Sequence, residues 1–76
     1  MITVGIDMGA KTIKAVVLRD GAVAGRAIKM SGFDAAQSAK EVMDAALKDA
    51  GVSRSDVGVV VATGAGREDA PDKDRT

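Results

Sequence analysis

The residues best suited to chemistry lie near the start of the chain, where Asp7 and Lys14 flank a turn that contains Gly9. Successive backbone N–H groups in a tight turn form a concave anion site. Gly5 and Gly9 have no Cβ, so they let the backbone approach a phosphate closely. Lys14 can neutralise a phosphate oxygen, and Asp7 can hold Mg²⁺ directly or through its waters. This stretch predicts a site for the phosphates of a nucleoside triphosphate.

The predicted hairpin sets the geometry of these groups. With the turn at residues 9–12, a simple register pairs Met8 with Ile13 and places Asp7 directly across from Lys14. The alternative is a cross-strand ion pair in which Gly9 merely makes the turn, and the residues alone leave it open. Because the glycines lie between two strands and no helix follows, the segment is neither a dinucleotide fingerprint nor a Walker loop.

Three strands are predicted to form a meander. Apolar and polar residues alternate over residues 2–7, which is the period of a strand. Residues 13–19 are apolar on both parities, as expected of a central strand covered on both faces. Asp20-Gly21 is a two-residue hairpin signal that requires positive φ, and it leads into a third strand at residues 22–30.

A helix and a fourth strand follow the meander. Asp34 with Gln37 three residues later predicts the helix start, and Gly51 predicts its end. Residues 53–56 form a polar connection with room for one helical turn, and the valines of residues 57–63 indicate a buried parallel strand. The order is β-β-β-α-β with a mixed sheet. One helix covers one face, so we expect something else to cover the other.

The chain changes character after the fourth strand. Thr63, Gly64 and Gly66 indicate a backbone that bends sharply or approaches a neighbour, and Arg67 could reach an anion or a partner carboxylate. The alternative, which these residues alone favour, is a strand-ending loop with a surface arginine. Residues 68–76 are charged and have almost nothing to bury, so we expect a flexible tail.

Composition narrows the possible functions. The sequence has 76 residues, 46% of them hydrophobic but only one aromatic, which predicts a single small domain with a thin core. It has no Cys and no His, so any chemistry depends on carboxylates, Lys, Ser and Thr. Eleven basic and eleven acidic residues cancel, and neither nucleic acid nor a membrane is favoured as a partner. No signal peptide or membrane span is visible, so we expect a cytoplasmic protein.

The segment Gly-Ile-Asp-Met-Gly-Ala-Lys-Thr-Ile-Lys-Ala-Val at residues 5–16 resembles the first phosphate motif of the superfamily of acetate and sugar kinases, heat-shock chaperones and actin. With the Asp20-Gly21 hairpin and the Thr-Gly-x-Gly-Arg element at residues 63–67, it is similar more narrowly to the activator ATPases of benzoyl-CoA reductase and 2-hydroxyacyl-CoA dehydratase. The resemblance implies an α/β fold in which residues 1–67 are the N-terminal part of a ribonuclease H-like, actin-type ATPase lobe.

The resemblance also implies roles for individual residues. It puts Asp7 on the metal and attacking-water side of the phosphates, as the catalytic and metal-binding candidate, and Lys14 against a phosphate. Ala10 departs from the family, which usually has Ser or Thr there, so one hydroxyl contact is missing although the backbone N–H remains. The implied nucleotide-binding candidates are Gly9, Ala10, Lys11, Thr12, Lys14, Thr63, Gly64 and Gly66.

By the same resemblance, ATP hydrolysis is coupled to low-potential electron transfer from an iron–sulfur cluster to a partner subunit that reduces or dehydrates an acyl-CoA. ATP and Mg²⁺ are the implied ligands, and the cluster is expected from residues outside this chain. Because the chain corresponds to the start of such an ATPase, we expect it alone neither to hydrolyse ATP nor to bind it tightly. Its open sheet face predicts a homodimer or oligomer. The alternatives are a fragment of another actin-like ATPase or sugar kinase, or a non-catalytic interaction module.

Overall fold

The computed structural model describes residues 1–31 and 34–64. The predicted order of three strands, a helix and a fourth strand is confirmed, with a single 3₁₀ turn before the last strand. The elements are β1 (Ile2–Met8), β2 (Thr12–Arg19), β3 (Ala22–Met30), α1 (Ala35–Ala50), the 3₁₀ turn (Arg54–Asp56) and β4 (Val57–Thr63). The expected tail at residues 68–76 lies outside the described residues.

The four strands form one mixed sheet in the order β3-β2-β1-β4. β2 runs antiparallel to both β1 and β3, while β4 runs parallel to β1. The two strands that carry Asp7 and Lys14 are therefore the two central ones.

The two hairpins of the sheet have the geometry that the sequence predicts. Asp20 and Gly21 have φ values of 51° and 85°, the positive values that this two-residue turn requires. Between β1 and β2, Met8 pairs with Ile13 and Asp7 pairs with Lys14, which confirms the predicted register.

Both ends of α1 are capped as predicted. The Asp34 carboxylate accepts a hydrogen bond from the Gln37 N–H at 3.1 Å. At the other end Gly51 is left-handed, with φ of 72°, and its N–H donates to the Lys48 carbonyl at 3.1 Å. The Val52 N–H donates to the Leu47 carbonyl, also at 3.1 Å.

The core lies between α1 and one face of the sheet. β3 meets α1 without a side chain in between: a Cβ at Gly25 would lie 2.5 Å from the Ala50 nitrogen and 2.7 Å from the Ala46 oxygen. The buried apolar residues are Val4, Ile6, Met8, Ile13, Ala15, Val17, Ala39, Val42, Met43, Ala46, Leu47, Val60 and Ala62.

The opposite face of the sheet is uncovered within the described residues. As the sequence predicts, the described part of the chain has one helix, α1, on one face of the sheet. That something else covers the other face of the second and fourth strands stays a prediction. Val16 and Leu18 on β2 and Val61 on β4 are half-buried, while Ile28 and Met30 on β3 are exposed. We call this the open face.

Candidate functional site

The candidate site is a row of three side chains across the open face. Asp7 on β1 pairs with Lys14 on one side and with Thr63 of β4 on the other. Residues directly opposite on neighbouring strands have their Cβ atoms about 4.5–5.5 Å apart. Because all three residues are exposed, their polar atoms are available to a ligand.

A concavity of about 340 Å³ lies along this row. Gly5 is its floor: a Cβ there would have no atom within 4 Å. The absence of a side chain at this position therefore keeps the space between β2 and β4 open. The lining residues are Gly5, Ile6, Asp7, Lys14, Val16, Val61 and Thr63.

Asp7 and Lys14 do not form an ion pair with each other. Two ion pairs of the described residues join the Met1 amine to Asp20 and Lys29 to Glu41, and neither involves Asp7 or Lys14. The cross-strand ion pair, which was the alternative explanation for Asp7 and Lys14, is thus not formed. Both charged groups face the concavity and solvent instead.

Gly64 lies tightly against the end of β1. Its φ is 94°, and a Cβ there would lie 2.6 Å from the Met8 carbonyl oxygen and 2.9 Å from an Asp7 carboxylate oxygen. The close backbone approach predicted for this glycine is therefore present, and it is to the residue that carries the candidate carboxylate. Its role in nucleotide binding stays a prediction, and Gly66 and Arg67 lie outside the described residues.

The turn between β1 and β2 is compact. A Cβ at Gly9 would lie 2.8 Å from the Thr12 carbonyl oxygen, so this position needs glycine. Ala10 and Lys11 at the tip are exposed, and Thr12 begins β2. The turn is thus a short, exposed connection two residues before Lys14, and its role as an anion site stays a prediction.

Ser31 also contacts this turn, and the sequence did not predict that contact. Its N–H donates to the Lys11 carbonyl at 2.9 Å, and its hydroxyl donates to the Gly9 carbonyl at 3.4 Å. Ser31 follows β3 and is distant from the turn in sequence, so only the β2–β3 register brings it there.

Asp7 is the carboxylate of the row of Asp7, Lys14 and Thr63. Across the described part of the chain, no group of three or more His, Cys, Asp or Glu residues could hold a metal ion. Mg²⁺ in nucleotide sites is usually bound through one or two carboxylates plus phosphates and waters. An exposed carboxylate at Asp7, beside the turn, fits that arrangement.

A family model matches residues 4–75, which is nearly the whole chain: the BadF/BadG/BcrA/BcrD ATPase family. The chain belongs to this family. The matched region contains most of β1, the turn and all of β4, and with them the whole row of Asp7, Lys14 and Thr63.

Two curated relatives of this family member have similar sequences. An uncharacterized protein of Methanocaldococcus jannaschii is 46% identical over 66 residues, covering 87% of this chain. The activator of lactoyl-CoA dehydratase of Anaerotignum propionicum is 37% identical over 78 residues, covering 99% of this chain. The chain spans 16% and 29% of the lengths of these two relatives.

Solved structures of two family relatives share the fold. The activator of 2-hydroxyisocaproyl-CoA dehydratase from Clostridium difficile, with bound ADPNP, superposes with a TM-score of 0.84 at 28% identity, over 99% of this chain and 28% of its own. Component A of the (R)-2-hydroxyglutaryl-CoA dehydratase of Acidaminococcus fermentans has a TM-score of 0.75 at 30% identity, over 100% of this chain and 30% of its own. The mixed sheet with one helix thus matches the N-terminal lobe of the actin-like ATPase fold of these activators.

No helix in residues 1–31 and 34–64 is long and apolar enough to cross a membrane.

Proposed function

We propose that this chain supplies the first phosphate-binding part of an ATP-dependent activator that serves an acyl-CoA dehydratase. The row of Asp7, Lys14 and Thr63 carries the proposal, because it brings a cation, a carboxylate and a hydroxyl to one concavity at the end of the strands that the Gly9 turn joins. The relatives support it, since three are described as activators or components of such dehydratases and one is described with bound ADPNP.

Each part of the row has a separate task in this proposal. The Lys14 ammonium neutralises charge on a phosphate oxygen, and the N–H groups at the tip of the turn donate to the same phosphate group. Asp7 would hold a magnesium ion that accompanies ATP, directly or through its waters, and the ion would supply positive charge at the phosphates. In this proposal Asp7 also orients the attacking water. Gly64 lies against the Asp7 carboxylate and bounds the site on that side.

The electron-transfer part of the proposal rests on other residues. An iron–sulfur cluster of the usual kind needs cysteine thiolates, and the sequence of this chain has no Cys. The residues of this chain therefore do not fit an iron–sulfur cluster. Coupling of ATP hydrolysis to acyl-CoA reduction or dehydration belongs to the whole activator and its partner subunit.

Titration of the ¹⁵N-labelled 76-residue chain with Mg·ATP tests the phosphate site. We expect amide shifts at the turn and at Lys14, with a dissociation constant of roughly millimolar, because the described site offers phosphate contacts and a small apolar concavity only. Lys14→Gln should weaken binding about tenfold by removing a charge-assisted contact. Asp7→Asn should remove the difference between ATP with and without Mg²⁺.

The matched controls are Lys40→Gln and Asp44→Asn, which make the same charge changes on the exposed side of α1. Both should bind as the wild type does. Shifts confined to other surfaces, or equal affinity in Lys14→Gln and Lys40→Gln, would overturn the proposed phosphate site and favour a non-catalytic interaction module.

The activator role is tested with the protein from the complete reading frame, added anaerobically with ATP and a reductant to a purified 2-hydroxyacyl-CoA dehydratase. We expect dehydration of the 2-hydroxyacyl-CoA that requires ATP and is lost in Asp7→Asn. Activation of a benzoyl-CoA reductase in place of the dehydratase would assign the protein to the reductase branch. Activation of neither would contradict the proposed role.

A further inference from the structure

Ser31 is the described residue outside β1 and β2 that is bonded to the tip of the turn. It makes two hydrogen bonds to carbonyl groups there: its N–H to Lys11 at 2.9 Å and its hydroxyl to Gly9 at 3.4 Å. The first bond continues the β2–β3 ladder and needs no particular side chain. The second depends on the hydroxyl, which is partly buried beside the turn.

The bond to Gly9 fixes the direction of a peptide group. In a trans peptide the C=O and the following N–H point in opposite directions. A Gly9 carbonyl turned towards Ser31 therefore turns the Ala10 N–H away from β3. Gly9 has no room for a side chain, because a Cβ would meet the Thr12 carbonyl at 2.8 Å. Since glycine is conformationally permissive, the hydroxyl of Ser31 is a contact that can select one orientation of this peptide.

The orientation of the Gly9–Ala10 peptide matters because position 10 is an alanine. Since alanine has no hydroxyl or amide, the backbone N–H is the donor that position 10 can offer to an anion. We propose that Ser31 is a positioning residue, whose hydroxyl holds the Gly9–Ala10 peptide so that the Ala10 N–H is presented to a phosphate oxygen. The inference rests on the proposed phosphate site and adds a residue that is distant in sequence from the rest of it.

The variants Ser31→Ala and Ser31→Thr test this role, because the backbone bond to Lys11 remains in both and the hydroxyl remains in threonine alone. The probe is Mg·ATP, added to the ¹⁵N-labelled 76-residue chain. We expect Ser31→Ala to weaken binding about three- to tenfold, the effect of one hydrogen bond, and to reduce the shift of the Ala10 amide most. Ser31→Thr should restore affinity to within about twofold of the wild type.

Hydrogen exchange of the Ala10 amide without ligand gives a second readout. It should change in Ser31→Ala while the exchange of amides in α1 does not, which separates a local effect from general loss of stability. If Ser31→Ala binds Mg·ATP as tightly as the wild type and its Ala10 amide shifts equally, the positioning role is wrong and the phosphate site stands. If the wild type shows no shift at the turn, the proposed site fails and the role of Ser31 fails with it.

Discussion

At the scale of single residues, the site depends as much on missing side chains as on charged ones. Gly5 keeps the concavity open, Gly9 closes the turn, and Gly64 leaves room for the Asp7 carboxylate. The physical reason differs at each position. A Cβ at Gly5 would enter open space, a Cβ at Gly9 would meet the turn backbone, and Gly64 has a positive φ and lies against β1. Substitutions at these positions therefore have different expected effects on folding and on binding.

Gly5 variants should separate stability from binding. A Cβ at Gly5 meets nothing within 4 Å, and glycine in a strand is less favourable than alanine by about 0.5–1 kcal/mol. We expect Gly5→Ala and Gly5→Leu to unfold at equal or higher urea concentration than the wild type. Gly5→Leu should also weaken Mg·ATP binding at least threefold, by filling the space between Val16 and Val61. Equal affinity in Gly5→Leu would show that the ligand does not enter the concavity.

For the residues of the site, the sequence predicts those contacts that depend on neighbouring positions, such as the length of a turn or the alternation along a strand. The pairing of Asp7 with Lys14 follows from the turn length and from strand alternation, and the structure confirms it. Ser31 could not be found in this way, because its contact with Gly9 joins residues 22 positions apart through the β2–β3 register. Its neighbours in sequence give no sign of that contact.

At the scale of elements, the packing of α1 against β3 depends on one glycine. Gly25 allows the helix backbone at Ala46 and Ala50 to approach the strand, and nearby the Arg26 N–H donates to the Asp49 carboxylate at 3.1 Å. The sequence predicted the strand and the helix but not this contact, since nothing local distinguishes Gly25 from a glycine that faces solvent.

Gly25→Ala should displace the helix. The added Cβ would overlap the Ala50 nitrogen and the Ala46 oxygen, which are backbone atoms and cannot move alone. Overpacking of this kind typically costs about 1–3 kcal/mol, so we expect a clearly lower midpoint in urea denaturation followed by circular dichroism. Gly5→Ala is the matched control, because the same change meets open space there. Equal midpoints for the two variants would contradict the close approach.

The connection between α1 and β4 should make the free energy of unfolding decrease at acidic pH. The Asp56 carboxylate accepts the Ser53 N–H at 2.9 Å and the Ser53 hydroxyl at 3.1 Å, and these bonds lower its pKa below the usual 3.8. A pKa lowered by folding stabilises the protein above the unfolded value. That contribution is lost as pH falls from about 4 through the folded pKa.

Urea denaturation between pH 7 and pH 3 measures this dependence. Asp56→Asn should make the loss of stability below about pH 4 shallower. Asp20, whose pKa is lowered by its hydrogen bond to the N-terminal amine and by the charge of that amine, contributes in the same direction and remains in the variant. Asp44→Asn, an exposed change on α1, should keep the wild-type slope. An unchanged slope in Asp56→Asn would contradict the role of this connection.

At the scale of the whole molecule, the main feature is a sheet with a helix on one face. The sequence predicted this imbalance correctly, because residues of both parities in β2 and β4 are apolar and one amphipathic helix is present. It could not show which residues remain exposed. The structure shows that Val23, Ile28 and Met30 on β3 are exposed, at 58%, 63% and 75%.

The 76-residue chain should therefore associate as its concentration rises. Apolar side chains on an uncovered sheet favour contact with another copy. Static light scattering should give an average mass that increases with concentration, and Ile28→Thr combined with Met30→Thr should reduce the increase. Ala45→Thr, on the exposed side of α1, should not reduce it. A constant monomer mass in the wild type would contradict this prediction.

The position of β4 beside β1 also divides the site into parts that form at different times during folding. Asp7 and Lys14 are joined by a hairpin between adjacent strands, whereas Thr63 pairs with Asp7 across most of the chain. Contacts between residues distant in sequence form later, because the entropy of closing the intervening loop must be overcome first. We therefore expect the pairing of Asp7 with Lys14 to form early in folding and the contacts of Thr63 and Gly64 with β1 to form after it.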